Sequence, residues 1–362
     1  MVGTTSGHRE LMRNGANNKK LNFTRIGIII ALISAAFAGD WEVDRRGTTA
    51  SSFLLMEVGA NSMALGGTGT GFSTGAECLY WNPAMMTRNP DFRLLYEEIE
   101  RPVGIRQNFV GGIIPLGRSN YIGVSLNNLN VGRMEITTVL DPQGTDQYFT
   151  AQDFSLGLSY ARKLTDRVSV GVTGKYIREE IWLEKATGFA FDLSTAYQIP
   201  QNGFSLGMTI ANIGPAMAMN DGPHIRYEQE SDESFPGAPD IDASYVMKEF
   251  PLPVIFRFGL GQRLTGHEGL IGKQWNHTVT LFTGFNDGIS TPFRGEIGLE
   301  YGYSKYLYLR VGRKMNYDLA RLSAGFGIYL PLGGRKIIDI QYAWVDQAVF
   351  GSIQNWSINV RL

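Results

Sequence analysis

The stretch FSLGLSYARKLTDRVSVGVTGK, residues 154–175, decides the fold class. Large apolar side chains fill every second position on both sides of a short link at 164–165, and Gly, Ser, Ala or Thr fill most positions between them. Alternation with a period of two is typical of β-strands, because successive side chains of a strand point to opposite faces of the sheet. The stretch therefore predicts a β-hairpin with one large apolar face and one small face.

The same alternation covers the chain from about residue 92 to the C-terminus. It returns in the segments 189–193, 204–210, 256–260, 297–303, 307–311, 322–328 and 338–344. A soluble β-sandwich turns Lys, Glu and Thr towards water, whereas the second face of these segments is largely Gly, Ser and Ala. We therefore interpret the apolar face as lipid-facing and the small face as the lining of a tightly filled barrel lumen. A periplasmic β-sandwich is the alternative.

The links between these segments fall into two classes. Short turns lie at 115–119, 164–165, 200–203, 304–305 and 331–335, and longer or irregular links lie at 129–151, 182–186, 214–252, 286–292, 315–318 and 346–353. With 100–103 counted as external and 264–275 as a long periplasmic exception, the pattern gives 14 strands with both ends on the periplasmic side. Outer-membrane barrels have short periplasmic turns and an even number of strands. The sequence thus predicts an all-β fold, a 14-stranded antiparallel transmembrane outer-membrane β-barrel over residues 92–362.

A leader segment precedes the barrel. Lys19, Lys20 and Arg25 stand before an apolar run at 26–37, which ends in the small-residue pattern Ala-Phe-Ala. This is the layout of a secretory signal peptide, so residues 1–38 are expected to be cleaved. A membrane anchor is the alternative, but a helical span needs about 20 apolar residues.

The composition narrows the function classes. Hydrophobic residues make up 43% of the chain and aromatic residues 12%, but charged residues only 19%, which favours a lipid-facing surface. Cleavage after Ala38 leaves 28 basic and 33 acidic residues and a net charge of −5, so nucleic acid is not an expected partner. The single cysteine, Cys78, excludes an intrachain disulfide.

No catalytic or metal-binding constellation stands out in the sequence. The stretch GGTGTG, residues 66–71, lacks the Gly-Lys-Ser/Thr ending of a phosphate loop, so we expect its glycines to allow close backbone packing. The histidines at 8, 224, 267 and 277 show no ligand spacing. The acidic segment 230–242 lacks the alternating ligands of a calcium loop and is expected to be a solvated external loop. We therefore expect a protein that is not an enzyme and that holds no cofactor or metal.

Charged residues at inward positions of the last strands are candidates for a charge network in the lumen. They are Glu296, Glu300, Arg310, Arg321 and Asp339. Opposite charges on successive strands can pair across the lumen and hold a plug. A catalytic pair would need a positioned nucleophile or an acid and a base, which the sequence does not supply.

The N-terminal segment FLLMEVGANSMALGGTGTGFSTGAECLYWNPA, residues 53–84, resembles the signature of the PorV/PorQ family of outer-membrane proteins, which is related to the FadL-type barrels. The resemblance covers nearly the whole mature chain, through the motifs AQDFSLGLSYARKLTDRVSVGVTGKYIREEI (151–181), NIGP (212–215), PLPVIFRFGLG (251–261), GEIGLEYGYSKYLYLRVGRK (295–314) and DIQYAWVDQAVFGSIQNWSINVRL (339–362). This chain departs from the family pattern at Met85-Met86, where relatives tend to have Gly-Leu, and in its long loop at 214–252.

The resemblance implies a FadL-like barrel whose N-terminal segment, here residues 39–91, forms a periplasmic or luminal plug. The plug would centre on Tyr80, Trp81, Asn82 and Pro83. Asn82 would cap a one-turn helix that Pro83 begins, and the two aromatic side chains would wedge it against the lumen wall. The alternative is that this motif is only the turn that enters the first strand.

The resemblance also implies a role in type IX protein secretion at the outer membrane of a Gram-negative-type bacterium, surrounded by lipid. PorV-like proteins bind the C-terminal signal domains of cargo and work with translocon and attachment subunits. FadL-like relatives instead pass hydrophobic ligands sideways into the membrane, and a lateral gap in the barrel wall, with strand kinks near Gly259 or Gly284, would favour that function. A third hypothesis is that the barrel has a purely structural role. For partner binding we predict soft apolar residues of loop 214–252, namely Met217, Met219, Tyr245, Val246 and Met247.

Overall fold

The computed structural model describes residues 47–219, 225–227, 241–243, 247–267, 269–270 and 276–362. The predicted signal peptide at 1–38, His8, His224, most of the acidic segment 230–242, Tyr245 and Val246 lie outside the described residues. Within the described ranges, no helix has the length and apolar character needed to cross a membrane.

Fourteen strands of the described residues form one closed antiparallel barrel, in which the first strand pairs with the last. The predicted fold class is thereby confirmed. A separate short sheet is formed by β8 (Ile225–Tyr227) and β9 (Ile241–Ala243). The barrel strands are β1 (Arg93–Glu100), β2 (Arg106–Leu116), β3 (Asn120–Glu135), β4 (Tyr148–Lys163), β5 (Val168–Ile181), β6 (Glu184–Ile199), β7 (Phe204–Ile213), β10 (Ile255–Thr265), β11 (His277–Gly288), β12 (Arg294–Tyr303), β13 (Leu307–Met315), β14 (Leu322–Gly333), β15 (Lys336–Asp346) and β16 (Ser352–Arg361).

The two faces of the barrel wall are arranged as the sequence predicts. On β4, Leu156, Leu158 and Tyr160 are exposed on the outer face, and Leu158 is 63% exposed. Their neighbours Ser155 and Ser159 are buried on the inner face. A soluble protein shows the reverse distribution, since its large apolar side chains are mostly inside. The outer face is therefore suited to lipid and the inner face to a filled lumen.

The links at the two ends of the barrel differ in length. One end carries the links at 117–119, 164–167, 200–203, 266–276, 304–306 and 334–335, and both ends of the barrel chain. The other end carries the links at 101–105, 136–147, 182–183, 214–254, 289–293, 316–321 and 347–351. We assign the first end to the periplasm and the second to the exterior, because outer-membrane barrels have short periplasmic turns.

The N-terminal segment runs through the lumen from the outer end to the periplasmic end. Its start is at the outer end, where the Ala50 N–H donates to the Pro251 carbonyl at 3.0 Å. Its end is near the last strand, where Asp91 pairs with Arg361 at 2.7 Å. Between them lie three short helices, α1 (Ala60–Ala64), α2 (Gly69–Phe72) and α3 (Cys78–Trp81), and three 3₁₀ turns, Ser52–Leu55, Gly75–Glu77 and Pro83–Arg88. We call the segment from residue 50 to residue 91 the plug.

A ring of inward-facing glycines makes room for the plug. A Cβ atom added at any of them would lie only 2.0 to 3.1 Å from a plug atom. Most of these distances are too short for real contacts, and the nearest plug atoms at Gly171, Gly207, Gly259, Gly298 and Gly312 are backbone atoms, so the wall needs glycine at those positions. We call the ring the glycine belt; it consists of Gly111, Gly123, Gly171, Gly207, Gly259, Gly298, Gly312 and Gly325.

Candidate functional site

Asn82 connects the plug to the wall at the centre of the lumen. Its side-chain oxygen accepts the Ala84 N–H at 3.1 Å and so caps the 3₁₀ turn in which Pro83 is the first residue. Its amide nitrogen donates to the carbonyls of Thr70 in the plug and Thr195 on β6, both at 3.0 Å. Asn82 is fully buried, and its three hydrogen bonds hold two parts of the plug and one wall strand together.

Tyr80 and Trp81 surround a buried arginine of the wall. The Arg257 guanidinium of β10 lies 4.7 Å from the centre of the Tyr80 ring and 5.2 Å from the Trp81 ring, and it donates to the Tyr80 hydroxyl at 3.1 Å. Stacking on aromatic rings favours a desolvated guanidinium. The Trp81 indole N–H donates to the Val58 carbonyl at 2.8 Å. Sequence reasoning missed Arg257, although an arginine at an inward position between two phenylalanines was a signal.

An ion pair at the outer half of the lumen holds the plug to β13. The Lys314 ammonium lies 2.5 Å and 2.6 Å from the two carboxylate oxygens of Glu57. Next to this pair, the Glu296 carboxylate accepts the Asn286 amide at 2.6 Å and the Tyr317 hydroxyl at 3.0 Å. Lys314, which was not among the predicted charges, therefore ties the plug to β13.

The other predicted lumen charges have different roles. Glu300 and Arg310 are buried and pair at 2.8 Å between neighbouring strands, so they connect wall to wall. Asp339 is buried and accepts the Gln341 amide at 3.0 Å. Arg321 is exposed and lies just before β14, so it does not join the network. The alternation that predicted its inward position begins one residue later, at Leu322.

Arg101 ties an outer link of the barrel to the plug. Its guanidinium donates to the Glu57 carbonyl at 2.9 Å and to the Gln107 side chain at 2.8 Å. Burial lowers the pKa of Arg101 to about 10, which still leaves it charged at neutral pH.

An apolar cluster closes the outer mouth of the lumen beneath the longest external link. We call it the mouth cluster. Met217 is 3% exposed in it, its backbone pairs with that of Phe250 in both directions at 2.9 Å, and its sulfur accepts the Ser51 hydroxyl at 3.4 Å. The members of the mouth cluster are Phe53, Leu54, Leu129, Ile177, Ala186, Ala190, Met217 and Leu252.

The five residues predicted to contact a partner do not share one environment. Met217 faces inward in the mouth cluster, which corrects the expectation that it is available to a partner. Met219 is partly buried against the same cluster, and Met247 is 42% exposed. Tyr245 and Val246 lie outside the described residues. Of the three described residues, Met247 alone offers a largely free side chain.

Asn212 joins two of the motifs on which the family resemblance rests. Its backbone has a positive φ of 66°, and its N–H donates to the Asp192 carboxylate at 2.8 Å. Its side-chain amide donates to the Pro253 carbonyl at 3.1 Å and its side-chain oxygen accepts the Lys175 ammonium at 2.9 Å. NIGP and PLP thus meet where β7 and β10 begin to pair, next to the start of the plug.

The external links display large apolar side chains to solvent. Val139 is 98% exposed and Val349 is 88% exposed. Val103 and Trp182 are also exposed and have positive φ angles of 64° and 55°, which are uncommon for such side chains. Exposed apolar groups on strained backbone are typical of binding surfaces. We call this surface the external rim; it comprises Val103, Val139, Leu140, Trp182, Val349 and Phe350.

The wall is continuous where a lateral gap was considered. Gly259 of β10 pairs with Gly284 of β11, and the pairing runs from Ile255 to Arg263 without a register shift.

Among the described residues, no three His, Cys, Asp or Glu side chains are arranged to hold a metal ion.

Comparison with known proteins identifies a family and a fold. The family model for Type IX secretion system protein PorV matches residues 40–239. The toluene transporter TodX of Pseudomonas putida has a similar structure, with a TM-score of 0.56 and 13% identity over 84% of this chain and 97% of TodX. The toluene transporter TbuX of Ralstonia pickettii gives 0.54 and 14%, over 85% of this chain and 98% of TbuX. Identities this low show a shared fold only. No curated protein matches the sequence.

Proposed function

The chain belongs to the PorV family of type IX secretion system proteins, and on that premise we propose that it serves type IX secretion by binding protein partners at its external rim. The partners are the C-terminal signal domains of secreted cargo, or the translocon and attachment subunits. The outer membrane of a Gram-negative-type bacterium is its location. The observation that carries the proposal is the contrast between a filled lumen and an apolar, exposed rim.

The filled lumen supports a function at the surface. The plug is held near its start by Ala50 and Pro251, at its centre by Asn82, and at its end by Asp91 and Arg361. Passage of a solute would require these bonds to break together with the packing of the glycine belt. Binding at the rim requires none of them to break.

The rim has the chemistry of a protein-binding surface. Val139 and Leu140 lie on the link between β3 and β4, and Val349 and Phe350 on the link between β15 and β16. Each exposes apolar area that a partner would remove from water, which favours association. Met247 adds a flexible apolar side chain on the longest link.

Capture of cargo by rim variants tests the proposal. Two double variants, Val139→Ser with Leu140→Ser and Val349→Ser with Phe350→Ser, remove the apolar contacts without touching the plug. A third variant deletes residues 220–246, which keeps Met247 and the pairing of Met217 with Phe250. We expect weaker recovery of tagged C-terminal signal domains or translocon subunits in mild detergent. The lipid-facing change Leu309→Val is the control, and wild-type recovery by all three variants would refute the proposal.

Transport of hydrophobic small molecules is the second candidate. TodX and TbuX, whose fold this chain shares, are described as toluene transporters. The continuous pairing at Gly259 and Gly284 argues against a lateral exit at that position. Liposomes that contain the protein would take up a long-chain fatty acid or toluene faster than empty liposomes if this candidate is right. Equal uptake rates would exclude it.

A further inference from the structure

The exposed charges at the periplasmic end of the barrel are almost all basic. On the described periplasmic links and the two strand residues on either side of each, Asp166 is the single exposed carboxylate. At the outer end, exposed acidic and basic residues are mixed, as where Glu249 follows Lys248. We call the exposed cations of the periplasmic end the periplasmic ring; they are Arg118, Arg162, Arg167, Lys305, Arg335 and Lys336.

Each turn that carries these cations also exposes an apolar side chain. Leu116, Leu164 and Leu332 continue the outward series of their strands, and Tyr306 directly follows Lys305. Apolar groups at these positions reach the acyl chains of a bilayer, while cations a few residues away extend to the level of the headgroups. The turns therefore have the chemistry of a membrane boundary.

The cations of the periplasmic ring lack counter-charges in the described part of the chain. Five of the six form no ion pair with any carboxylate there. Arg335 approaches Asp91 at 3.8 Å, but 84% of its side chain is exposed, and Asp91 already pairs with Arg361 at 2.7 Å. The exposed carboxylate of Asp166 pairs at 3.5 Å with Lys163, which is not a member of the ring.

We propose that the periplasmic ring binds the anionic headgroups of phospholipids in the periplasmic leaflet of the outer membrane. A guanidinium or ammonium donates charge-assisted hydrogen bonds to a lipid phosphate, and the neighbouring leucine packs against the acyl chains of the same leaflet. Phosphatidylglycerol, whose headgroup carries a net negative charge, is the simplest lipid of this kind. Because the ring anchors the barrel at one leaflet, it also fixes how deep the barrel lies in the membrane.

The placement of the ring favours a lipid leaflet over a protein partner. In the closed strand order, the link between β2 and β3 is separated from the link between β12 and β13 by six strands in one direction and eight in the other. Arg118 and Lys305 therefore lie on nearly opposite sides of the barrel. Headgroups surround the whole barrel, whereas a protein docked on one side meets only part of the ring. A second copy of this chain would place the same cations against each other, which repels it.

Photo-crosslinking to lipids in vesicles tests the proposal. The probe is p-benzoylphenylalanine in place of Leu332, an outward residue close to Arg335 and Lys336. The matched control is the same group in place of Phe204, an outward residue in the same leaflet, next to the link 200–203, which has no charged residue. The links beside the two positions are separated by six strands in the shorter direction, so each probe reports on its own surroundings.

The lipid captured at each position is identified by mass spectrometry of the adducts. In vesicles made of equal amounts of phosphatidylglycerol and phosphatidylethanolamine, we expect phosphatidylglycerol to be enriched about fivefold at Leu332 relative to Phe204, which is the gain from one cation near an anionic surface. In about 1 M salt the enrichment should disappear, because charges are then screened beyond about 3 Å.

Charge variants show whether the ring causes the enrichment. Lys305→Gln, Arg335→Gln and Lys336→Gln together should abolish it, whereas Lys305→Arg with Lys336→Arg keeps the charges and should keep the enrichment. The matched control removes three exposed cations from the outer end and should leave the enrichment unchanged; it combines Arg106→Gln, Arg133→Gln and Arg321→Gln. Unheated electrophoresis shows whether each variant is a folded barrel.

Three results would overturn the proposal. The first is an equal lipid composition at Leu332 and Phe204, and the second is an enrichment that survives the triple change at Lys305, Arg335 and Lys336. The third is a protein adduct at Leu332 in the native outer membrane, which would assign the ring to an acidic protein or to a second copy of this chain. The rim variants should keep the lipid enrichment even where they lose cargo, because the periplasmic ring lies at the opposite end of the barrel from the external rim.

Discussion

The level of the glycine belt, which we call the waist of the barrel, and the external rim differ in the size of the side chains that they carry. At the waist, the glycine belt removes side chains from the wall so that the plug backbone passes close to it, as where Gly259 meets Gly71. At the rim, Val139 and Val349 extend large apolar groups into solvent. The waist gains contacts within the chain and the rim leaves contacts unmade. The interior contacts therefore stabilise the barrel, whereas the rim leaves apolar area in contact with solvent.

Filling one position of the glycine belt should have the largest effect. In Gly259→Leu, the new Cβ would lie 2.4 Å from the Gly71 backbone nitrogen, where neither backbone can yield. We expect about 3 kcal/mol or more of destabilisation and a large loss of folded barrel in unheated electrophoresis. Gly174→Leu is the matched control, because its Cβ would meet only the Phe191 ring at 3.7 Å. Equal losses in the two variants would mean that the plug does not depend on the belt.

Breaking the ion pair between plug and wall should come next. In Lys314→Met, the Glu57 carboxylate keeps its place in the lumen without its cation, which costs about 3–5 kcal/mol for a buried pair. The free energy of unfolding in urea, measured in lipid vesicles, reports the loss. The exposed pair of Arg178 and Glu180 is the comparison, where Glu180→Gln should cost about 1 kcal/mol or less. If Lys314→Met lowers the unfolding free energy no more than Glu180→Gln does, the ion pair with Glu57 does not hold the plug.

Removing the central cap should have a smaller effect. Asn82→Ala deletes the bond to Ala84 and both donors to Thr70 and Thr195, so we expect a loss of about 2–3 kcal/mol. Asn82→Asp keeps the cap oxygen and removes the donors, and its unfolding free energy should fall between those of the wild type and Asn82→Ala. If both variants unfold like the wild type, Asn82 is an ordinary turn residue.

The barrel could be predicted because the pattern that specifies each strand lies within the sequence of that strand. The period of two is visible within each strand, as in residues 154–163, and it fixes which side chains face lipid. The orientation of residues at strand ends is harder to predict. Arg321 would face the lumen if β14 began one residue earlier, but β14 begins at Leu322 and Arg321 is exposed to solvent. The prediction failed there for that reason.

The contacts of the plug could not be predicted in the same way. Arg257 meets Tyr80 across 177 residues of sequence, and no local period records such a pairing. Met217 is buried because its backbone pairs with Phe250 near the far end of the longest link, so a loop residue became part of the mouth cluster. Loop residues have no alternation from which burial follows, which is why the rim at Val139 and Val349 was also missed.

Substitutions at the rim should have the smallest effect on stability and a clear effect on the binding of cargo. Phe350→Ser removes an exposed side chain that belongs to neither buried cluster of the described residues, so the unfolding free energy should stay within about 0.5 kcal/mol of the wild type. Capture of cargo signal domains should nevertheless weaken, because the apolar area that binding would cover is gone. Leu54→Ser makes the same kind of change in the mouth cluster and should lower stability instead, since it places a hydroxyl among buried apolar groups. If Phe350→Ser lowered the unfolding free energy as much as Leu54→Ser, the rim would also stabilise the barrel. The contrast between a waist that stabilises the barrel and a rim that does not would then be wrong.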